Sequence, residues 1–120
     1  MNLKCDPQSR VDTSHYAFRV TWSQDDQEHV ATCVEFPSLS WLAPTPEEAL
    51  AGLQTVINDV VEDMYQSGEE VPEPISTRHF SGTFTLRPGR DLHRRMALAA
   101  AEQKVSLQQF AVRTLAAGVQ

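Results

Sequence analysis

SGTFTLRPGRDLHRRMALAAAEQKVSLQQF, residues 81–110, places one brief strand directly before two helices. Phe84 and Leu86 alternate with Thr83, Thr85 and Arg87, the period of a strand with one apolar face. Pro88 and Gly89 end it. Leu92, Met96, Ala99 and Ala100 then mark a first helix. Ser106 with Gln109 forms a capping box at the start of a second, and Val105 with Phe110 has the spacing of a hydrophobic staple. Leu107, Phe110, Ala111, Thr114 and Leu115 give that helix its apolar face, and Gly118 is expected to close it. A lone strand leaves both of its edges unpaired, and a unit of about 40 residues buries too little apolar surface to fold alone. Two copies resolve both problems: the strands pair antiparallel across a two-fold axis and four helices enclose a shared core. The expected dimer core is Phe84, Leu86, Leu92, Met96, Phe110 and Leu115.

Charge is divided along the chain. The 120 residues carry a formal net charge of −6, which taken alone argues against a nucleic-acid binder. Residues 1–78, however, hold four Lys/Arg against fourteen Asp/Glu, a net of −10, whereas residues 79–120 hold six Lys/Arg against two acids, a net of +4. Such asymmetry implies two modules with oppositely charged partners. Cys5 and Cys33, the only cysteines, fit neither a disulfide framework nor a CxxC metal spacing and are expected as free thiols in a reducing cytoplasm. No apolar run has signal-peptide or membrane-span character, so the expected location is cytoplasmic.

Upstream, residues 1–14 are polar and unpatterned. Tyr16, Phe18, Val20 and Trp22 alternate with polar or small residues, HVATCVEF follows the polar turn SQDDQE, and a centred hairpin sets Trp22 against His29 and Phe18 against Cys33. LSWLA is a short third strand. Thr45, Pro46 and Glu48 signal a helix start; Ala49, Leu50, Leu53, Val56, Ile57, Val60, Val61 and Met64 form one stripe, and Gly68 is a stop. The expected fold is a small antiparallel sheet covered by one helix, an α+β domain over residues 1–70. A stiff Pro/Glu linker follows over 71–79, and a dimerising strand–helix–helix domain over 80–120.

The outward strand face suits a DNA major groove, which admits a two-stranded ribbon. Thr83, Thr85 and Arg87 are the expected base contacts, Arg87 by a bidentate bond to guanine. Arg90, Arg94, Arg95 and Lys104 are expected on phosphates, together with the backbone amides at Ser106 and Leu107.

At these residues the order strand, RP, LH, Ala-rich helix, VSLQQF and closing helix resembles a ribbon-helix-helix DNA-binding domain. FPSL, PTPEEAL and VPEP upstream resemble the N-terminal domain of HicB-type antitoxins. Where many members carry a glycine after the FP-x-L turn, this chain has SWLA. The resemblance, over roughly residues 15–117, implies an N-terminal domain like a cut-down RNase H fold. That domain would bind a small basic HicA-like toxin that cleaves mRNA. It also implies a C-terminal dimer that binds the operator of its own operon on the nucleoid and represses it. It implies no catalysis and no cofactor. A −10 domain suits a basic, RNA-binding partner, and the candidate contacts are Asp25, Asp26, Glu28, Glu35, Trp41, Asp59, Glu62 and Asp63.

Three other readings compete with this one. Asp59, Glu62 and Asp63 share a helical spacing that could hold a metal for a nuclease, but a solvated helix face is preferred because no further carboxylates complete the set. His29 and Cys33 lie about four rises apart, too far for one metal. A ligand- or metal-sensing ribbon-helix-helix repressor is the alternative function.

Overall fold

The computed structural model describes residues 10–119; Cys5 lies outside them. The chain divides after Phe80 into two compact units. In the first, β1 (Phe18–Ser23), β2 (Glu28–Cys33) and β3 (Ser40–Ala43) form an antiparallel sheet in that order, followed by α1 (Pro46–Ser67). Phe18 stands opposite Cys33 and Trp22 opposite His29, the register expected from the hairpin. His29 sits on the central strand, between Trp22 and Ala43, because LSWLA supplies a third strand on its other side.

The helix begins as its sequence directs. Thr45 Oγ1 accepts the Glu48 amide, and Gly68 ends the helix in the left-handed region at φ 80°, which glycine reaches without steric cost. The reciprocal half of the capping box differs: the Glu48 carboxylate takes its hydrogen bond from the Thr45 hydroxyl at 3.0 Å.

Packing follows from the stripe. Ala49, Leu53, Ile57 and Val61 of α1 are buried against Tyr16, Ala31, Cys33, Phe36 and Ala43. Leu50, Val56, Val60 and Met64 are half-buried on its flanks. Small residues at the centre, Ala31, Ala43 and Ala49, let the helix lie close to the sheet. Gly52 extends this device: a Cβ there would overlap the indole of Trp41, so the ring rests directly on helix backbone. Tyr16 and Phe36 close one end edge to face, with centroids 5.2 Å apart.

Two segments that carry no helix or strand pattern also pack on this unit. Residues 10–15, part of the polar lead-in, pack on α1: the Val11 amide donates to Tyr65 Oη at 3.0 Å, and the Arg10 guanidinium covers the Tyr65 ring at 4.5 Å. The Pro/Glu stretch after Gly68, expected as a stiff linker, is likewise fastened to the first unit. Val71 packs on the core and Pro74 is buried. Tyr16 Oη donates to the Pro72 carbonyl at 2.8 Å, Ser76 Oγ donates to the His15 carbonyl at 2.7 Å, and the Ile75 amide donates to Glu35 Oε2 at 2.8 Å. Prolines remove amides but leave carbonyls, so this stretch meets its polar needs on neighbouring side chains. The first unit therefore runs about ten residues past the expected boundary at 70.

The second unit contains α2 (Arg90–Gln103) and α3 (Leu107–Gly118). Lys104 joins them in the left-handed region at φ 60°. Both bonds of the Ser106–Gln109 capping box are present. Gly118 is the last helical residue and Val119 the cap, one position later than expected. Residues 81–89 hold no regular secondary structure in the single chain, in contrast to the expected strand. A strand exists only by laddering with another, and no second extended segment accompanies this one in its own unit.

Gly52→Ala tests the seating of Trp41. Alanine in a helix interior gains about 1 kcal/mol over glycine, whereas displacing a packed ring costs about 1–3 kcal/mol. The substitution is expected to lower the melting temperature of the native chain and to raise it when Trp41 is already alanine, a sign change that thermal melts of the double-mutant cycle would detect.

Candidate functional site

Two surfaces, one in each unit, carry the candidate residues. In the second unit Leu86, Pro88, Leu92, Arg95, Met96, Ala99, Phe110 and Leu115 line an apolar groove of about 500 Å³. It arises because α2 and α3 turn their apolar stripes to one side with nothing from the single unit to cover them. Phe84 is 76% exposed and Leu86 55%. Scattered exposed apolar residues are ordinary, but a contiguous apolar patch marks an interaction surface. The backbone of 81–88 makes no backbone–backbone hydrogen bond among the described residues; Thr83 alone finds a partner, its amide donating to Ser81 Oγ at 3.1 Å and its carbonyl accepting from the same hydroxyl at 3.0 Å. Five of the six expected core residues, Leu86, Leu92, Met96, Phe110 and Leu115, line it; Phe84 does not.

Basic residues surround this face. Thr83, Thr85 and Arg87 are exposed on the segment before α2, and Arg90, Arg94 and Arg95 are exposed on α2. Arg95 also borders the groove and faces Asp91 at 3.6 Å, so its charge is partly matched within the helix. Lys104 lies exposed between the helices. The amide of Ser106 was expected to be open to a phosphate. It donates instead to Gln109 Oε1 at 2.9 Å, while Ser106 Oγ takes the Gln109 amide at 3.0 Å. The capping box consumes these two donors, and the amides of Leu107 and Gln108 remain as the unpaired donors of the first turn.

The acidic candidates of the first unit divide into engaged and unengaged groups. Glu35 is engaged: Oε1 accepts the Ala17 amide at 2.9 Å and Oε2 the Ile75 amide. Burial pushes its carboxyl up, but the amides of Ile75, Ala17 and Glu35 itself outweigh that and hold it below the usual carboxylate range. Cys33 beside it is buried and free, and burial pushes its thiol up. Glu62 pairs with Arg10 at 2.6 Å, whose hydrogen bond lowers the carboxyl, helped by Gln66. Asp26 Oδ2 accepts from Ser23 Oγ within the hairpin turn. Trp41, 44% exposed, spends one face on Gly52. Asp25, Asp59 and Asp63 stay exposed without an ion pair among the described residues, and Glu28 is half-buried at the start of β2. Among the described residues no three His, Cys, Asp or Glu come together as a metal site.

Sequence reading missed Arg10, Tyr16 and Ser76 as fasteners. Nothing local marks them, since their partners lie 52 to 61 positions away. Gly52 did leave a sign: a glycine inside an otherwise strong helical pattern points to close approach by a neighbour.

The HicB family model matches residues 65–115, from the last turn of α1 through most of α3. Neither the curated proteins nor the solved structures include a match to this chain.

Proposed function

We propose that this HicB-type protein is the antitoxin of a toxin–antitoxin pair whose two units divide the work. The acidic first unit neutralises a HicA-like, mRNA-cleaving toxin. The second unit dimerises as a ribbon-helix-helix domain and represses its own operon from the major groove. The family match supports the antitoxin role. The observation that carries the rest is the uncovered apolar groove between α2 and α3, beside a segment that makes no backbone–backbone hydrogen bond.

A second copy answers both needs at once. Pairing 81–88 with its symmetry mate satisfies the free amides and carbonyls, and each groove then closes against the other copy's apolar residues. The ribbon so formed turns Thr83, Thr85 and Arg87 away from Phe84 and Leu86, towards base edges. Arg90, Arg94 and Lys104 flank it, with the Leu107 and Gln108 amides at the start of α3 as further phosphate donors. Salt-dependent attraction to the backbone follows from that charge.

The first unit offers the toxin an acidic surface whose free members are Asp25, Asp59 and Asp63. A basic protein evolved to hold RNA phosphates would be steered to it and denied its RNA surface. No group in the chain is asked to perform catalysis.

Three outcomes test the scheme. Leu86→Asp, at a side chain already exposed in the single chain, is expected to convert a dimer to a folded monomer in sedimentation and to abolish operator binding; a monomeric wild type at tens of micromolar would overturn the dimer. Arg87→Ala is expected to cost about 1–3 kcal/mol of affinity and to relax preference at one base pair; unchanged operator affinity and preference would remove it from the reading role. Asp59→Lys with Asp63→Lys is expected to slow toxin association at low salt with little change in melting temperature, as stopped-flow mixing would report.

A further inference from the structure

We infer that Glu35 bolts residues 72–76 onto the first unit and so sets where the tether to the second unit begins. The bolt is built from separate parts of the chain. Glu35 follows β2, and its two oxygens clamp the Ala17 amide ahead of β1 and the Ile75 amide beyond α1. Three further attachments hold the same stretch: Tyr16 Oη to the Pro72 carbonyl, Ser76 Oγ to the His15 carbonyl, and the burial of Pro74. Burial pushes the Tyr16 hydroxyl up to about 12, so it remains a donor at every physiological pH. Beyond the bolt the chain turns once, with the Thr77 and Arg78 amides both on the Pro74 carbonyl and Arg78 over the Phe80 ring.

The consequence concerns reach. With the bolt closed, the chain leaves the first unit after this turn. With it open, residues 72–78 join the tether and add roughly 23 Å of extended chain at ~3.3 Å each. A longer tether lowers the effective concentration of one unit at a site set by the other. Glu35 thus works as a positioning residue for the tether. Glu70, Glu73 and Arg78 line the same hollow as Glu35, with Cys33 and Tyr16 beneath. Because the folded carboxyl lies below the ordinary glutamate range, the bolt is complete above that range and opens as pH falls through the folded value.

Amide hydrogen exchange on the full chain, without toxin or DNA, tests this independently of the proposed function. In the wild type at pH 7 the amides of Ile75, Thr77 and Arg78 are expected to be protected. In Glu35→Ala they are expected to exchange at least tenfold faster while Leu53 and Ile57 keep their protection, and trypsin is expected to cut after Arg78 correspondingly faster. Should Glu35→Ala fail to fold, Tyr16→Phe with Ser76→Ala removes two fasteners and is expected to speed the same amides alone. Wild-type Ile75 exchanging like an unstructured peptide would overturn the inference. So would a folded Glu35→Ala that leaves 75–78 unchanged or speeds the whole first unit equally, and so would a Tyr16→Phe, Ser76→Ala chain with unaltered exchange there.

Discussion

The seat of α1 on a sheet with a small-residue centre is the contact on which the first unit depends. Three strands alone expose one apolar face and are marginal in water; a 22-residue helix laid across them supplies the missing layer. Ala31, Ala43, Ala49 and Gly52 keep that layer thin, so Leu53 and Ile57 lose all solvent contact and Trp41 can lie on the helix backbone. The charge of the unit follows from the same geometry. With one stripe committed to the core, the opposite side of α1 is free to carry Asp59, Glu62 and Asp63 in water, where like charges are tolerated because solvent screens them.

The second unit has the opposite character. Its helices are well specified locally, by a complete capping box at Ser106 and a left-handed link at Lys104, yet their apolar stripes converge on a groove open to solvent. Local order without a closed core sets it apart from the first unit, whose helix and sheet bury Leu53 and Ile57 completely. The division of charge fits this asymmetry: the self-sufficient unit is acidic, and the incomplete one is basic.

Carboxylates of one unit have unlike duties for electrostatic reasons. Glu35 sits where two backbone amides lack other acceptors, so its charge is used inside the fold. Glu62 is matched by Arg10. Asp25, Asp59 and Asp63 have no counter-charge among the described residues and contribute their field to the surroundings. Composition counts all of them alike, and a net charge per segment overstates the acidity that a partner would meet.

The elements themselves were legible in the sequence. The two-residue period of Phe18–Val20–Trp22, the hairpin register, the Thr45–Pro46 start, the Gly68 stop and the Ser106 cap all rest on interactions within one hairpin or one helix end, which a contiguous stretch of sequence encodes. That nothing beside Phe84 and Leu86 in sequence alternates to pair with them could be read there too, but not that residues 81–89 hold no strand in the single chain. The duties of Glu35, Arg10 and Trp41 could not. A carboxylate on an amide 40 positions later, or an indole against a helical glycine, depends on where the folded chain brings distant segments. Only the tertiary structure decides such pairings, because the free energy of burying a polar group or a ring is set by whatever packs beside it in space.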